Sequence, residues 1–330
     1  MKKNNRNTII FIVCSIFILI IGLFLGISLG VTQIGIQEIW QSIFSYSEKL
    51  ELVLIRDVRI PRAFCVLLTG GILGVTGAMI QGVTRNPIAE PSLLGVSQGA
   101  TLVVAIFYAI GITINTTNVM IASLIGAIFS GIIVIGFILK KANNSSITKI
   151  LLAGTAMSTF FISLTTIAGL LSNQSQLIAF WVAGGFRNAT WADTKLVAVV
   201  GICGLIIAIL LSNKINVLSL GDDVAISLGQ NPEKIRLITL LVMIPMCAAA
   251  VAVGKNIGFV GLIVPQIVRK TLGVDYRKNI PCSFLLGAVI LTYSDIAARM
   301  FYNPYETPIG IFTALIGVPF FIAAARKEKG

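Results

Sequence analysis

Few residues in this chain could do chemistry, and their spacing limits what that chemistry could be. Asp295 and Arg299 stand four apart, which places them on one helix face within pairing reach. Ionisable groups inside an apolar segment are a functional-site hypothesis by default. This pair reads either as a coupling site or as a structural ion pair near the end of a span. The chain has no histidine, so it offers no imidazole base and no H-E-x-x-H. Gly254-Lys255 is followed by Asn256, which fails the G-x-x-x-x-G-K-[ST] pattern of a phosphate-cradling loop. If ATP drives this protein, another chain must bind it. The five cysteines (Cys14, Cys65, Cys203, Cys247, Cys282) are scattered, with no C-x-x-C, and read as small buried apolar residues. Without histidine or an acidic cluster in a span, no metal site can be argued. No catalytic residue and no cofactor are expected in this chain.

The elements that carry these residues are apolar. Of 330 residues, 56% are hydrophobic and 12% charged, with a mean hydropathy of +0.94. Soluble domains carry about 25% charged residues. Repeated uncharged stretches of roughly 18 or more residues suit a hydrocarbon layer about 30 Å thick. No alternating strands of a transmembrane barrel are visible. The expectation is an all-α polytopic membrane protein with ten spans, at about 8–30, 61–82, 92–110, 118–139, 148–171, 192–212, 235–253, 257–271, 280–299 and 307–325. The eighth is expected to be short and broken by Gly261 and Pro265. The first follows a basic start (Lys2, Lys3, Arg6), but is too long for a signal core and lacks a cleavage site, so it reads as a retained helix.

Placing both termini in the cytoplasm puts seventeen of the 25 Lys and Arg residues on the inner side, as the positive-inside bias requires. That distribution explains the net charge of +12 without nucleic acid. Trp40, Trp181 and Trp191 then fall on the outer side, where an aromatic belt is expected.

Two polar segments interrupt the pattern. "QGVTRNPIAEPSLLGVSQGA" (81–100) lies at the inner end of spans two and three. Its irregular backbone is tolerable at depth only if protein covers it or it lines a wet cavity. It reads either as a closure of an inner mouth or as an ordinary turn. Pro91 suits a first helical turn. The loop 213–234 contains "SLGDDVAISLG", a short amphipathic helix. Asp222 or Asp223 is expected to cap its start and Gly229 to end it as a left-handed residue. Asn231-Pro232 then starts the next helix. Leu220, Val224, Ala225 and Leu228 would be its exposed apolar residues, which calls for a partner or for a membrane surface. In span two, Gly70 and Gly74 form a G-x-x-x-G that Gly77 and Ala78 extend, allowing another helix close approach. "VAGGFRNATW" (182–191) reads as a glycine-rich outer turn.

Seven segments together resemble the FecCD-type permease family: "RIPRAF" (59–64), "GAMIQGVTRNPIAEPSLLGVSQGA" (77–100), "WVAGGF" (181–186), "LGDDVAISLG" (220–229), "IGFVGLIVPQIVR" (257–269), "SDIAAR" (294–299) and "ETPIGIFTALIGVPFF" (306–321). The resemblance runs from about residue 56 to 325. It implies a ten-helix membrane subunit of an ATP-driven importer for iron–siderophore chelates, haem or cobalamin. Implied partners are a second permease subunit, identical or paralogous, two cytoplasmic ATPase subunits that bind ATP and Mg, and an external substrate-binding protein. By the same resemblance, Leu220, Gly221, Asp222, Val224, Ala225, Leu228 and Gly229 belong to a coupling helix seated in the ATPase. Asn86, Pro87 and Ile88 match a cytoplasmic gate segment, and "SITKILLAG" (146–154) adds Ile147 and Thr148 as a second gate element. Arg59, Arg62 and Arg299 match arginines that receive acidic residues of the binding protein; guanidinium can hold a carboxylate bidentately. The other reading of these arginines is headgroup contact or local pairing with Asp57 and Asp295. The family's eighth span usually reads P-H-x-x-R, whereas this chain has Pro265-Gln266-Ile267-Val268-Arg269. Gln266 hydrogen-bonds but does not titrate, so no pH-dependent role is expected at that position.

The expectation is therefore a single transmembrane permease domain over 1–330, in the bacterial cytoplasmic membrane, importing a ferric siderophore by alternating access. Within the family, cobalamin or haem is the alternative cargo. From another class, the alternative is a stand-alone ion-coupled transporter.

Overall fold

The computed structural model describes residues 2–30, 34–44, 49–112, 116–140 and 147–327. Among these there are fourteen α-helices, a π-turn and a 3-10 turn, and no strand. In chain order the helices are α1 (Lys2–Ser28), α2 (Ile36–Phe44), α3 (Leu50–Leu54), α4 (Ile60–Thr84), α5 (Val96–Ala109), α6 (Thr116–Lys140), α7 (Ile147–Leu171), α8 (Ser175–Val182), α9 (Trp191–Ser219), α10 (Asp222–Ser227), α11 (Pro232–Gly254), α12 (Val260–Leu272), α13 (Tyr276–Met300) and α14 (Ile309–Lys327). Seven helical segments are long and apolar enough to cross a membrane; α5 and the described part of α14 are shorter and apolar.

The centre of the bundle is α4. Nearly all of it is buried, and α13, α9, α11 and α12 pack around it. Its small residues make this possible. A Cβ at Gly70 would stand inside the Gly287 carbonyl of α13, one at Gly74 inside the Ser283 carbonyl, and one at Gly77 inside the Gly261 carbonyl of α12. The G-x-x-x-G read from the sequence is thus a seam along which two helices meet the backbone of a third. The periphery is the reverse. Phe17 of α1, Leu170 of α7 and Leu210 of α9 are all about two-thirds exposed. Large apolar side chains in such numbers on the outside suit a hydrocarbon surrounding, not water.

Several elements differ from the sequence reading. The region 31–60 contains two short helices, and α3 runs through the π-turn Ile55–Arg59 into α4, so the second span begins well before residue 61. The third span divides. Pro91–Leu94 forms a 3-10 turn, and Gly95 at φ +72 separates it from α5. Conversely α12 is continuous through Gly261 and Pro265. Pro265 cannot donate to the Gly261 carbonyl, and that carbonyl instead lies 3.5 Å from the Gln81 amide nitrogen. Helix α9 continues to Ser219, which shortens the 213–234 loop. The start of α9 is fixed by a Thr190/Asp193 capping box, a T-x-x-D signal legible in the sequence. Trp181 is buried, so it is no part of an aromatic belt. Cys14 and Cys203 are exposed, while the other three cysteines are buried; all five are free.

Candidate functional site

At one end of the bundle, α10 is a single isolated turn and a half. Asp222 and Asp223 do not cap it: Gly221, at φ +133, occupies the N-cap without a side-chain bond. Asp222 is used elsewhere. Its carboxylate accepts two bonds from Arg236 Nη2, at 2.7 and 2.9 Å, and pairs with Arg85 Nη2 at 3.2 Å. The C-terminus is as expected. Gly229 is left-handed at φ +73, its N–H donates to the Ile226 carbonyl, and the Gln230 N–H donates to the Ala225 carbonyl at 2.8 Å. This is a Schellman closure. Asn231 caps α11 by accepting from the Lys234 N–H, with Pro232 at the first position.

The apolar face of α10 is real but differently composed. Leu220, Val224 and Leu228 are exposed, together with Ile226; Ala225 is fully buried against the bundle. Ala225 therefore seats α10 on its own protein, and four larger side chains remain on the surface.

Asp222 connects α10 to the segment that follows α4. Arg85 is left-handed at φ 53 and ends α4. Asn86 then closes a side-chain turn, its Oδ1 accepting from the Ile88 N–H at 3.0 Å. From there the chain runs into the bundle alongside α12. Gln266 Nε2 donates to the Pro87 carbonyl at 2.7 Å and lies 3.2 Å from Gln81 Oε1. Gln81 Nε2 donates to the Leu262 carbonyl at 3.0 Å and reaches the Ala89 carbonyl at 3.4 Å. Glu90 Oε1 accepts from the Phe259 N–H at 2.8 Å. Ser130 Oγ covers the Gly95 carbonyl at 2.8 Å. Irregular backbone can sit among helices because these groups satisfy it. Asn86 and Pro87 are half-buried and Ile88 is exposed. Ile147 and Thr148, which the resemblance offered as a second gate element, begin α7, and their side chains lie outside the described residues.

Arg59, Arg62 and Arg299 gather at the opposite end; Arg59 and Arg62 are buried, and the Arg299 side chain is 9% exposed. Arg62 donates three hydrogen bonds to the Asp295 carboxylate, the shortest at 2.8 Å, and two to Glu306, the shorter at 2.6 Å. Arg299 pairs with Asp295 at 3.2 Å in the i, i+4 arrangement read from the sequence. It also donates to the Gly26 and Leu29 carbonyls, while Arg59 donates to the Ile27 and Ser28 carbonyls. Two guanidinium groups thus close the C-terminus of α1, where carbonyls lack intrahelical donors and the helix dipole favours cations. The sequence reading of Arg59 missed this contact because its partners lie about thirty residues back and are backbone atoms. Asp57 pairs with Arg56, not with these three.

A family model described as the FecCD transport family matches residues 18–327. The iron(3+)-hydroxamate import system permease protein FhuB of Bacillus subtilis is 40% identical, over 98% of this chain and 84% of that one. The Fe(3+)-citrate import system permease protein YfmD of the same organism is 35% identical, over 99% and 98%. The Fe(3+) dicitrate transport system permease protein FecC of Escherichia coli is 34% identical, over 86% of both. Among solved structures, an inward-facing metal-chelate type ABC transporter superposes with a TM-score of 0.83 at 26% identity, covering 95% of this chain and 97% of that one. With a match across nearly the whole chain and relatives well above 30% identity, the protein belongs to the FecCD transport family.

Proposed function

We propose that this chain is the permease subunit of an ATP-binding-cassette importer for ferric siderophores, crossing the bacterial cytoplasmic membrane ten times with both termini inside. The observation that carries this reading is α10: a short helix with Leu220, Val224, Ile226 and Leu228 exposed, held by Asp222 to the root of the 85–95 segment. A separate ATPase, holding ATP and Mg, would grip that apolar face. Displacing α10 pulls on Arg85, and through Arg85 on Asn86, Pro87 and Ile88, which border the pathway. Two such permeases, identical or paralogous, with Ile147 and Thr148 at the inner constriction, would alternate access between the two sides. No coupling ion is required in this scheme.

At the far end an external binding protein would dock. Arg59, Arg62 and Arg299 serve it only if its acidic side chains displace Asp295, Glu306 and the α1 carbonyls. Changing all three to glutamate should abolish docking while ATPase assembly persists; loss of both would mark the cluster as structural. For the importer itself, the test is reconstitution with the ATPase and binding protein. ATP-dependent uptake of a ferric chelate is expected, and Leu228→Asp should uncouple it from hydrolysis. Uptake by the chain alone under a proton or sodium gradient would overturn the reading.

A further inference from the structure

At the end of the bundle away from α10 lies a cavity of about 520 Å³, inside the roughly 300–1,000 Å³ range of small-molecule sites. Arg62, Arg187, Lys255 and Glu306 line it, with Trp181 and Asn188 beside them. Its charges do not balance. Arg62 is neutralised by Asp295 and Glu306, and Glu306 is shared with Arg187 at 3.5 Å. The Lys255 ammonium has no hydrogen-bond or ion-pair partner among the described residues, and the same residue lines two adjoining smaller cavities. Lys255 also holds an unfavourable backbone, at φ 63. A glycine would sit there without strain, so a lysine at this position suggests work for its side chain. Burial, and then Arg187, push the ammonium below the usual lysine value, with Glu306 opposing. An anion between Lys255 and Arg187 removes that repulsion.

We infer that this cavity receives the anionic face of a ferric chelate between Lys255 and Arg187, beside the Trp181 indole, and that the cargo carries net negative charge. The inference rests on the importer reading and adds the charge class of the cargo. It is tested on the assembled transporter in nanodiscs, with radiolabelled ferric citrate as anionic probe and a neutral ferric trihydroxamate as comparison. Ferric citrate should bind more tightly and quench tryptophan fluorescence. Lys255→Gln with Arg187→Gln should weaken it about tenfold, Lys255→Arg should preserve it, and the neutral chelate should bind equally to all forms. Equal binding of both chelates by the wild type, or equal loss of both in the glutamine variant, overturns the inference. So does a glutamine variant that keeps chelate binding but loses docking of the external protein, since the cations would then serve a protein carboxylate. Absence of ATP-dependent uptake of any ferric chelate would remove the importer reading instead; uptake with charge-blind binding removes only this inference.

Discussion

Replacing Gln266 by leucine should loosen the 85–95 segment without unfolding the bundle. The side chains are similar in size, so packing on α12 is largely kept. Two hydrogen-bond relations are lost: the 2.7 Å donation to the Pro87 carbonyl and the 3.2 Å contact with Gln81. An unsatisfied buried carbonyl costs about 1–3 kcal/mol. Gln266 and Pro87 are half-buried, so water recovers part of this. A net loss of about 2 kcal/mol shifts the seated segment toward the unseated one by about thirtyfold. Hydrogen exchange in lipid nanodiscs reads this directly. The Ala89 N–H, bonded to the Asn86 carbonyl, and the Phe259 N–H, bonded to Glu90, should both exchange about thirtyfold faster. The Gln230 N–H in the α10 closure should not change. Gln266→His should exchange nearly as slowly as wild type, with a pH dependence centred near the imidazole value of about 6.5. Exchange within twofold of wild type in Gln266→Leu would refute the claim that this side chain seats the segment.

Asp222→Ala strands Arg236, whose side chain is only 10% exposed; a loss of about 2–3 kcal/mol should appear as faster exchange of α10 and a lower ratio of uptake to ATP hydrolysis. Arg85→Ala breaks the more exposed pair and should cost under about 1 kcal/mol in stability, while still lowering that ratio. Gly77→Val drives a side chain into the Gly261 carbonyl and should abolish folded protein on a sizing column; Gly136→Ala, with open space around it, should leave the melting temperature unchanged or raise it. Burial works to raise the Glu306 carboxyl, but Arg62 and Arg187 hold it below its ordinary value of 4.5. Its stabilisation is therefore present at neutral pH and lost as pH falls through that depressed value. Glu306→Gln should lower the neutral-pH melting temperature and flatten the acid limb below pH 4.5.

Much of the architecture was legible because long apolar runs and helix punctuation are local signals. Gly229, Asn231 and Pro232 act within a few residues of themselves, and each does what its type suggests. The small-residue face of α4 was legible too, though not which helices would meet it. What could not be read depends on distant partners. Asp222 looked like a cap, yet it is drawn off by Arg236 and Arg85, fourteen or more residues away. Ala225 and Ile226 exchanged places in the expected surface because the rotation of so short a helix is set by the bundle beneath it. The proline at 265 suggested a break, but a side chain from α4 reaches the carbonyl it frees. The three arginines matched a motif by type, while their partners include main-chain atoms with no sequence signature.

The clasp on the C-terminus of α1 bears on how the protein is made. The first helix leaves the ribosome long before Arg299, 273 residues from the carbonyl it will bind. Until α13 has been synthesised, that helix has only part of its polar fastening and little buried surface of its own. It must wait in the lipid as a loosely tethered element, then be gathered in by a late arrival. Truncation before α13 should leave it free to diffuse away from the rest, and crosslinking of the nascent chain would follow the moment of capture.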